Sequence, residues 1–225
     1  MATEKILVPE SLQETLWRLE EVRYGFRNKS SAKAKEALQW VLTRQGLPGS
    51  YLGMFMPTDR DLHRGLKLLT GERIRSSAAI RHILSEEALR TAIVWGLGEA
   101  SAVGQALKGF DQIMERGARS SGRYCCYNCT IAFLRTLVVV KPKDWNQTLE
   151  KGLNRIRRAR TDDGKWHGFP FYYTILTLSE MSTPLAEAEL KHASVNAEKL
   201  LKRYRGNDRA SLFRRLTLES MLRNT

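Results

Sequence analysis

Residues 149–166 read LEKGLNRIRRARTDDGKW, and the change of character along this stretch decides the fold. It opens as an amphipathic helix, passes through a polar turn and closes on Gly164-Lys165-Trp166. Two other stretches do the same. AKEALQWVLTRQGLPGSY (34–51) closes on Gly49-Ser50-Tyr51, and ALKGFDQIMERGARSSGRY (106–124) closes on Gly122-Arg123-Tyr124. In each case a second helical pattern follows shortly after. A glycine at such a turn takes positive φ at no steric cost, and the aromatic two residues on can cap the core of the hairpin. Gly122 and Gly164 are 42 residues apart, whereas Gly49 and Gly122 are 73 apart, which leaves room for one degenerate copy within 75–100. Helical hairpins repeated at this period stack into a curved or closed array.

Outward from these turns the apolar spacing is helical almost everywhere. Leu12, Leu16, Leu19, Val22 and Phe26 step by three or four; so do Ala37, Leu38, Val41 and Leu42, then Leu62, Leu66 and Leu69, and then Phe171, Ile175 and Leu178. No convincing period-two alternation occurs. Pro9 and Pro184 stand where helix starts tolerate proline. The expected fold is all-α, stacked hairpins with loops at 46–53, 118–124, 161–170 and 205–208. No long or low-complexity linker interrupts the 225 residues, so the expectation is one domain, with a repeat-like core over 35–181 and basic helices over 184–225.

Charge is the one extreme of composition: 37 Lys and Arg against 24 Asp and Glu give a net charge of +13. That suits an anionic partner, whether nucleic acid, a phosphorylated ligand or an acidic membrane surface. Three cysteines, at 125, 126 and 129, are too few and too crowded to staple a secreted scaffold. They point to a reducing, cytoplasmic setting. No stretch approaches 18 uncharged apolar residues, so no transmembrane segment is expected.

Gln45-x-x-x-Gly49-x-Tyr51 and Arg160-Thr-Asp162-Asp163-Gly164-Lys-Trp166 share one frame, with Trp40-Val41-Leu42 ahead of the first. The frame resembles the Gln-x-x-x-Gly-x-Trp repeat of squalene–hopene cyclases and the related protein prenyltransferases. The resemblance implies an α/α toroid, here open or incomplete, holding an apolar or isoprenoid-like ligand on its concave face. The family's catalytic motifs do not accompany it. Asp59-Arg60-Asp61 and Asp162-Asp163 stand in place of Asp-x-Asp-Asp or Asp-Asp-x-x-Asp, no Asp precedes a Cys by two, and Cys-Gly-Glu-Gln is absent. The resemblance therefore leaves open whether the protein is an enzyme.

Several clusters compete for a role. Trp166, His167, Tyr172 and Tyr173 are the candidate wall of a ligand site, Phe171, Ile175 and Leu178 already supplying a core stripe without Tyr172. Arg157 and Arg160, from the run Arg155, Arg157, Arg158 and Arg160 joined by Lys151 and Lys165, are the candidates to meet an anionic head group. His167 has no evident carboxylate partner for general-base work. Cys126 and Cys129 have the spacing of a zinc or redox pair, but with Thr130, Phe133, Leu134 and Leu137 they fall on one helix face, so core packing is the expectation, with no metal and no cofactor. The basic residues Lys199, Lys202, Arg203, Arg205, Arg209, Arg214 and Arg215 support the alternative of a basic α-solenoid gripping nucleic acid through its phosphates. A protein–protein scaffold is the third reading.

Overall fold

The computed structural model describes residues 5–28, 30–74, 76–204 and 206–223, the side chains of Asn196 and Glu198 aside. The described chain is all-α apart from one small hairpin. In order, the elements are α1 (Leu12–Arg23), α2 (Ser31–Thr43), α3 (Asp59–Arg64), β1 (Leu66–Lys67), β2 (Arg73–Ile74), α4 (Ser77–Val94), α5 (Ser101–Ile113), α6 (Arg119–Ser121), α7 (Tyr127–Val140), α8 (Trp145–Arg158), α9 (Phe171–Ser179), α10 (Pro184–Ala193), α11 (Ala197–Leu201) and α12 (Arg209–Arg223). No described helix is long and apolar enough to cross a membrane. Although no linker marks a boundary, the chain gathers into two compact units. One takes the chain up to Leu66 together with α4 and α5; the other takes Lys67–Ile74 and the chain from Met114 onward.

In the first unit α4 is the central helix, buried on nearly every side from Ala79 to Ala92. Leu12, Leu16 and Leu19 of α1, Ala37 and Val41 of α2, and Val103, Ala106 and Phe110 of α5 complete the core. A polar contact threads it: Arg90 of α4 donates to Glu20 of α1 at 3.1 Å, with both side chains at most 3% exposed. Glu20 also accepts from Arg23 of its own helix at 2.9 Å, so the buried charges share a network rather than a single bond. Asp61 fixes the start of two helices. It completes a capping box with Thr58 on α3, and it accepts from the Ser11 hydroxyl at 2.6 Å and the Leu12 amide at 2.8 Å at the head of α1.

The helical stripe expected through Leu62, Leu66 and Leu69 does not form. Gly65 stops α3 at φ 75, and the chain turns into the hairpin, whose tip carries Gly71 at φ 93. A Cβ at Gly71 would approach the Ala210 methyl to 2.8 Å, so close packing against α12 requires glycine. Two-residue strands are too short to show alternation in a sequence.

The second unit is built around α7 and α9. Ile131, Phe133, Leu134 and Leu137 of α7 meet Tyr173, Ile175, Leu176 and Leu178 of α9, and Phe213, Leu218 and Met221 of α12 close the core. Arg135, fully buried, grips Glu180 through two bonds of 2.9 and 3.0 Å and lies 5.5 Å from the centre of the Tyr173 ring. Pro170 is the N-cap of α9, and it offers no side-chain acceptor. The hairpin supplies one instead. Glu72 accepts the backbone N–H groups of Tyr172 and Tyr173 at 3.0 and 3.1 Å, a carboxylate placed where the helix's unpaired donors and positive dipole end favour it.

Candidate functional site

The amphipathic character of α8 positions the site. Leu149, Gly152, Leu153 and Ile156 turn inward, and Lys151, Asn154, Arg155 and Arg158, at i, i+3, i+4 and i+7, share another face. That face is one wall of a cleft of about 430 Å³, closed by Ser121, Tyr127, Ala159 and His167. A smaller depression of about 160 Å³, lined by Arg123, Cys126, Tyr127, Thr130 and Arg155, shares two of its residues with the cleft. A cavity of the larger size accommodates a nucleotide-sized ligand.

Glycines let these walls approach. Gly122, at φ 61, ends α6 in the left-handed conformation, and a Cβ there would fall 2.2 Å from the Gly152 amide nitrogen. The turn carrying Ser121 and Arg123 thus lies directly on the α8 backbone. A Cβ at Gly152 would in turn fall 2.5 Å from Leu134 Cδ2 and 3.2 Å from the Gly122 carbonyl oxygen. Gly168 serves the third wall, because any side chain there would come within 2.4 Å of the Tyr127 ring. Tyr127 meets Phe169 edge-on, centroids 4.9 Å apart, and still leaves 43% of itself exposed. The His167 amide donates to the Ala159 carbonyl at 2.7 Å, which ties the 161–170 loop to the end of α8.

The cleft is electropositive by construction. Its lining contains Lys151, Arg155 and Arg158 and no carboxylate. Lys151 Nζ donates to the Arg119 carbonyl at 3.3 Å, and Arg123 donates to the Cys125 carbonyl at 3.2 Å; neither interaction neutralises the cation. Arg155 Nε is buried with no hydrogen-bond partner among the described residues. A buried donor without an acceptor is costly, and an anion in the cleft would offset that cost. Cations in the last turn of a helix ordinarily offset its dipole; here they also enclose a concavity without counter-charge.

The residues singled out from sequence fall in different places. His167 lines the cleft. Arg157 is exposed and is not among the lining residues. Arg160 belongs to another constellation: its guanidinium forms two bonds with Glu189, at 2.9 and 3.0 Å, and one with the Ala188 carbonyl at 3.0 Å. Trp166 is only 3% exposed, and its indole N–H donates to the same Glu189 at 2.8 Å. Tyr173 is buried beside Arg135. Tyr172 is half-buried, shares a 2.5 Å hydrogen bond with the Tyr204 hydroxyl, and has the Arg214 guanidinium 4.8 Å above its ring. Burial, and then that bond, push its phenol well above the usual value. Arg214 is itself engaged with the Thr70 carbonyl at 2.7 Å, and Arg205 lies outside the described residues.

Lys151, Arg155 and Arg158 belong to the basic run that the sequence displays, but the anion candidates drawn from it are Arg157 and Arg160, and Asn154 and Tyr127 do not stand out in the sequence. The spacing of Lys151, Arg155 and Arg158 on one helix face is the available signal. No family model, curated protein or solved structure matches the chain.

Proposed function

We propose that the protein binds a nucleotide unit through its phosphate in the α8 cleft, as part of a single strand of nucleic acid. One observation carries this reading: three cations from one helix face line a cavity with no carboxylate in its lining, and one of them keeps a buried donor without an acceptor among the described residues. The half-exposed Tyr127 ring offers a stacking surface beside the cations, and base–aromatic stacking accepts any base. Asn154 and Ser121 supply neutral donors and acceptors at the same wall. The net charge of +13 favours encounter with a polyanion.

The isoprenoid reading needs an apolar wall next to the cations. Of the residues lining this cleft, only Tyr127 and Ala159 contribute to one. The strand reading accounts for more of the lining.

Fluorescence anisotropy with a labelled single-stranded oligonucleotide tests the proposal, with a free nucleoside diphosphate and an isoprenyl diphosphate as competitors. Neutralising each cation should weaken oligonucleotide binding several-fold, so Arg155→Gln/Arg158→Gln should cost about tenfold or more. Nucleoside diphosphate should compete at high concentration. Oligonucleotide binding that the double variant leaves unchanged would overturn the assignment of this cleft, and tighter competition by the isoprenyl diphosphate would favour the other source of phosphate.

A further inference from the structure

The smaller depression next to the cleft contains chemistry that anion binding does not use. Cys126 and Cys129 place their sulfurs 3.6 Å apart, the first half-buried and lining the depression, the second buried beneath it. The sequence spacing suggests two thiols packed in one apolar stripe, and Cys129, Thr130, Phe133, Leu134 and Leu137 do pack that way. Cys126 does not. It stands at the N-cap of α7 in extended conformation, φ −117 and ψ −179, and its own side chain makes no capping hydrogen bond. Cys125, before it, holds φ 50, a left-handed conformation that a non-glycine residue adopts at a cost and that turns the chain sharply ahead of the pair.

We propose that Cys126 and Cys129 form a thiol–disulfide exchange site that reacts with a small anionic disulfide of the glutathione class. Arg123 and Arg155, the two cations of the depression, are placed to receive the carboxylates of such a molecule. An open first thiol and a buried second one fix the order of events. The Cys126 thiolate attacks one sulfur of the small disulfide, forming a mixed disulfide and expelling the other half as a thiolate, which takes up a proton. Cys129 then loses its proton and attacks Cys126 Sγ, expelling the second half as a thiol. Two protein thiols are oxidised to one internal disulfide, and one small disulfide is reduced to two thiols. The sulfurs must close from 3.6 Å to the bonded distance of about 2.05 Å, a shift within reach of side-chain rotation at a helix start.

The full-length Cys125→Ser protein isolates the pair from its exposed neighbour. Incubated with glutathione disulfide under native conditions and read by intact mass and peptide mapping, it should lose two hydrogens and carry a Cys126–Cys129 link with no lasting adduct. Adding Cys129→Ala should trap one glutathione on Cys126; adding Cys126→Ser should abolish both products. Circular dichroism checks that the variants fold, and the link in the Cys125→Ser protein decides the matter even if the Cys129 variant does not. A native Cys125→Ser protein that remains fully reduced, or a link that forms only in denaturant, overturns the proposal. So does wild-type protein that takes glutathione on Cys125 alone.

Discussion

Glu189 shows how much one carboxylate can organise. It accepts the Trp166 indole N–H and both forks of Arg160, so the polar edge of a buried ring and a basic side chain are satisfied together. Trp166→Ala should therefore destabilise the protein by about 3–5 kcal/mol, the range for emptying a large buried aromatic. Trp166→Phe should cost less, about 2 kcal/mol, chiefly the lost bond to a charged acceptor. Urea denaturation of the pair separates volume from hydrogen bonding. Tyr172 gives a prediction with a pH sign. Its phenol is raised in the folded state by burial and by the bond to Tyr204, while the unfolded phenol ionises near 10. The contribution is thus complete below pH about 10 and is lost as pH climbs above it. Tyr172→Phe should flatten the alkaline fall of the melting temperature between pH about 9.5 and 11; an unchanged alkaline profile would show that the Tyr172–Tyr204 bond does not hold in solution. At this scale the sequence is half legible. The Gly-x-aromatic frame marks Trp166 as part of a turn, but nothing near Arg160 in the chain betrays a carboxylate 29 residues further on. Arg160 therefore reads as a free cation when it is a paired one.

Among the elements, α8 and α9 illustrate two routes to a stable helix. The first is legible in its own residues, with apolar positions on one face and charges on the other. The second carries no charged residue, and its N-terminus depends on a side chain from elsewhere. Glu72→Ala should expose the amides of Tyr172 and Tyr173 and cost about 1–2 kcal/mol, in line with losing a helix cap together with a favourable charge at the dipole's positive end. Glu72→Gln, which keeps an acceptor without the charge, should recover part of that loss. Chemical denaturation distinguishes the two, and equal stability for all three proteins would show that the carboxylate is dispensable. The hairpin bearing Glu72 is invisible in the sequence for a physical reason. Leu62, Leu66 and Leu69 keep helical spacing by chance, and the breaks at Gly65 and Gly71 are conformational choices that a leucine count does not register. The three repeated turns are legible because they rest on such glycines directly: Gly49, Gly122 and Gly164 lie at φ 83, 61 and 73.

For the whole molecule the excess of positive charge sets the ionic-strength behaviour. If the cleft holds a strand through its phosphates, the log of the binding constant should fall linearly with the log of salt, with a slope of about −0.7 per contacted phosphate for single strands. Replacing Lys151, Arg155 and Arg158 together by Gln should make that slope shallower by about 2, one increment for each cation neutralised. A triple variant with the wild-type slope would place the phosphate-binding cations on other basic surfaces. A net positive charge suits an anionic partner but does not say where one would sit, because location depends on which cations lack counter-charges, and ion pairs such as Arg160–Glu189 form only on folding. Glu72 carries one further consequence, which concerns time. The ribosome makes the residue that caps α9 a hundred residues before the amides it serves. At about 5–20 residues per second, that acceptor waits on the order of five to twenty seconds for its helix to emerge. A fragment beginning at Met114 would never meet it, so the second unit is one folded body encoded in two separate places, and no single cut of the gene can release it whole.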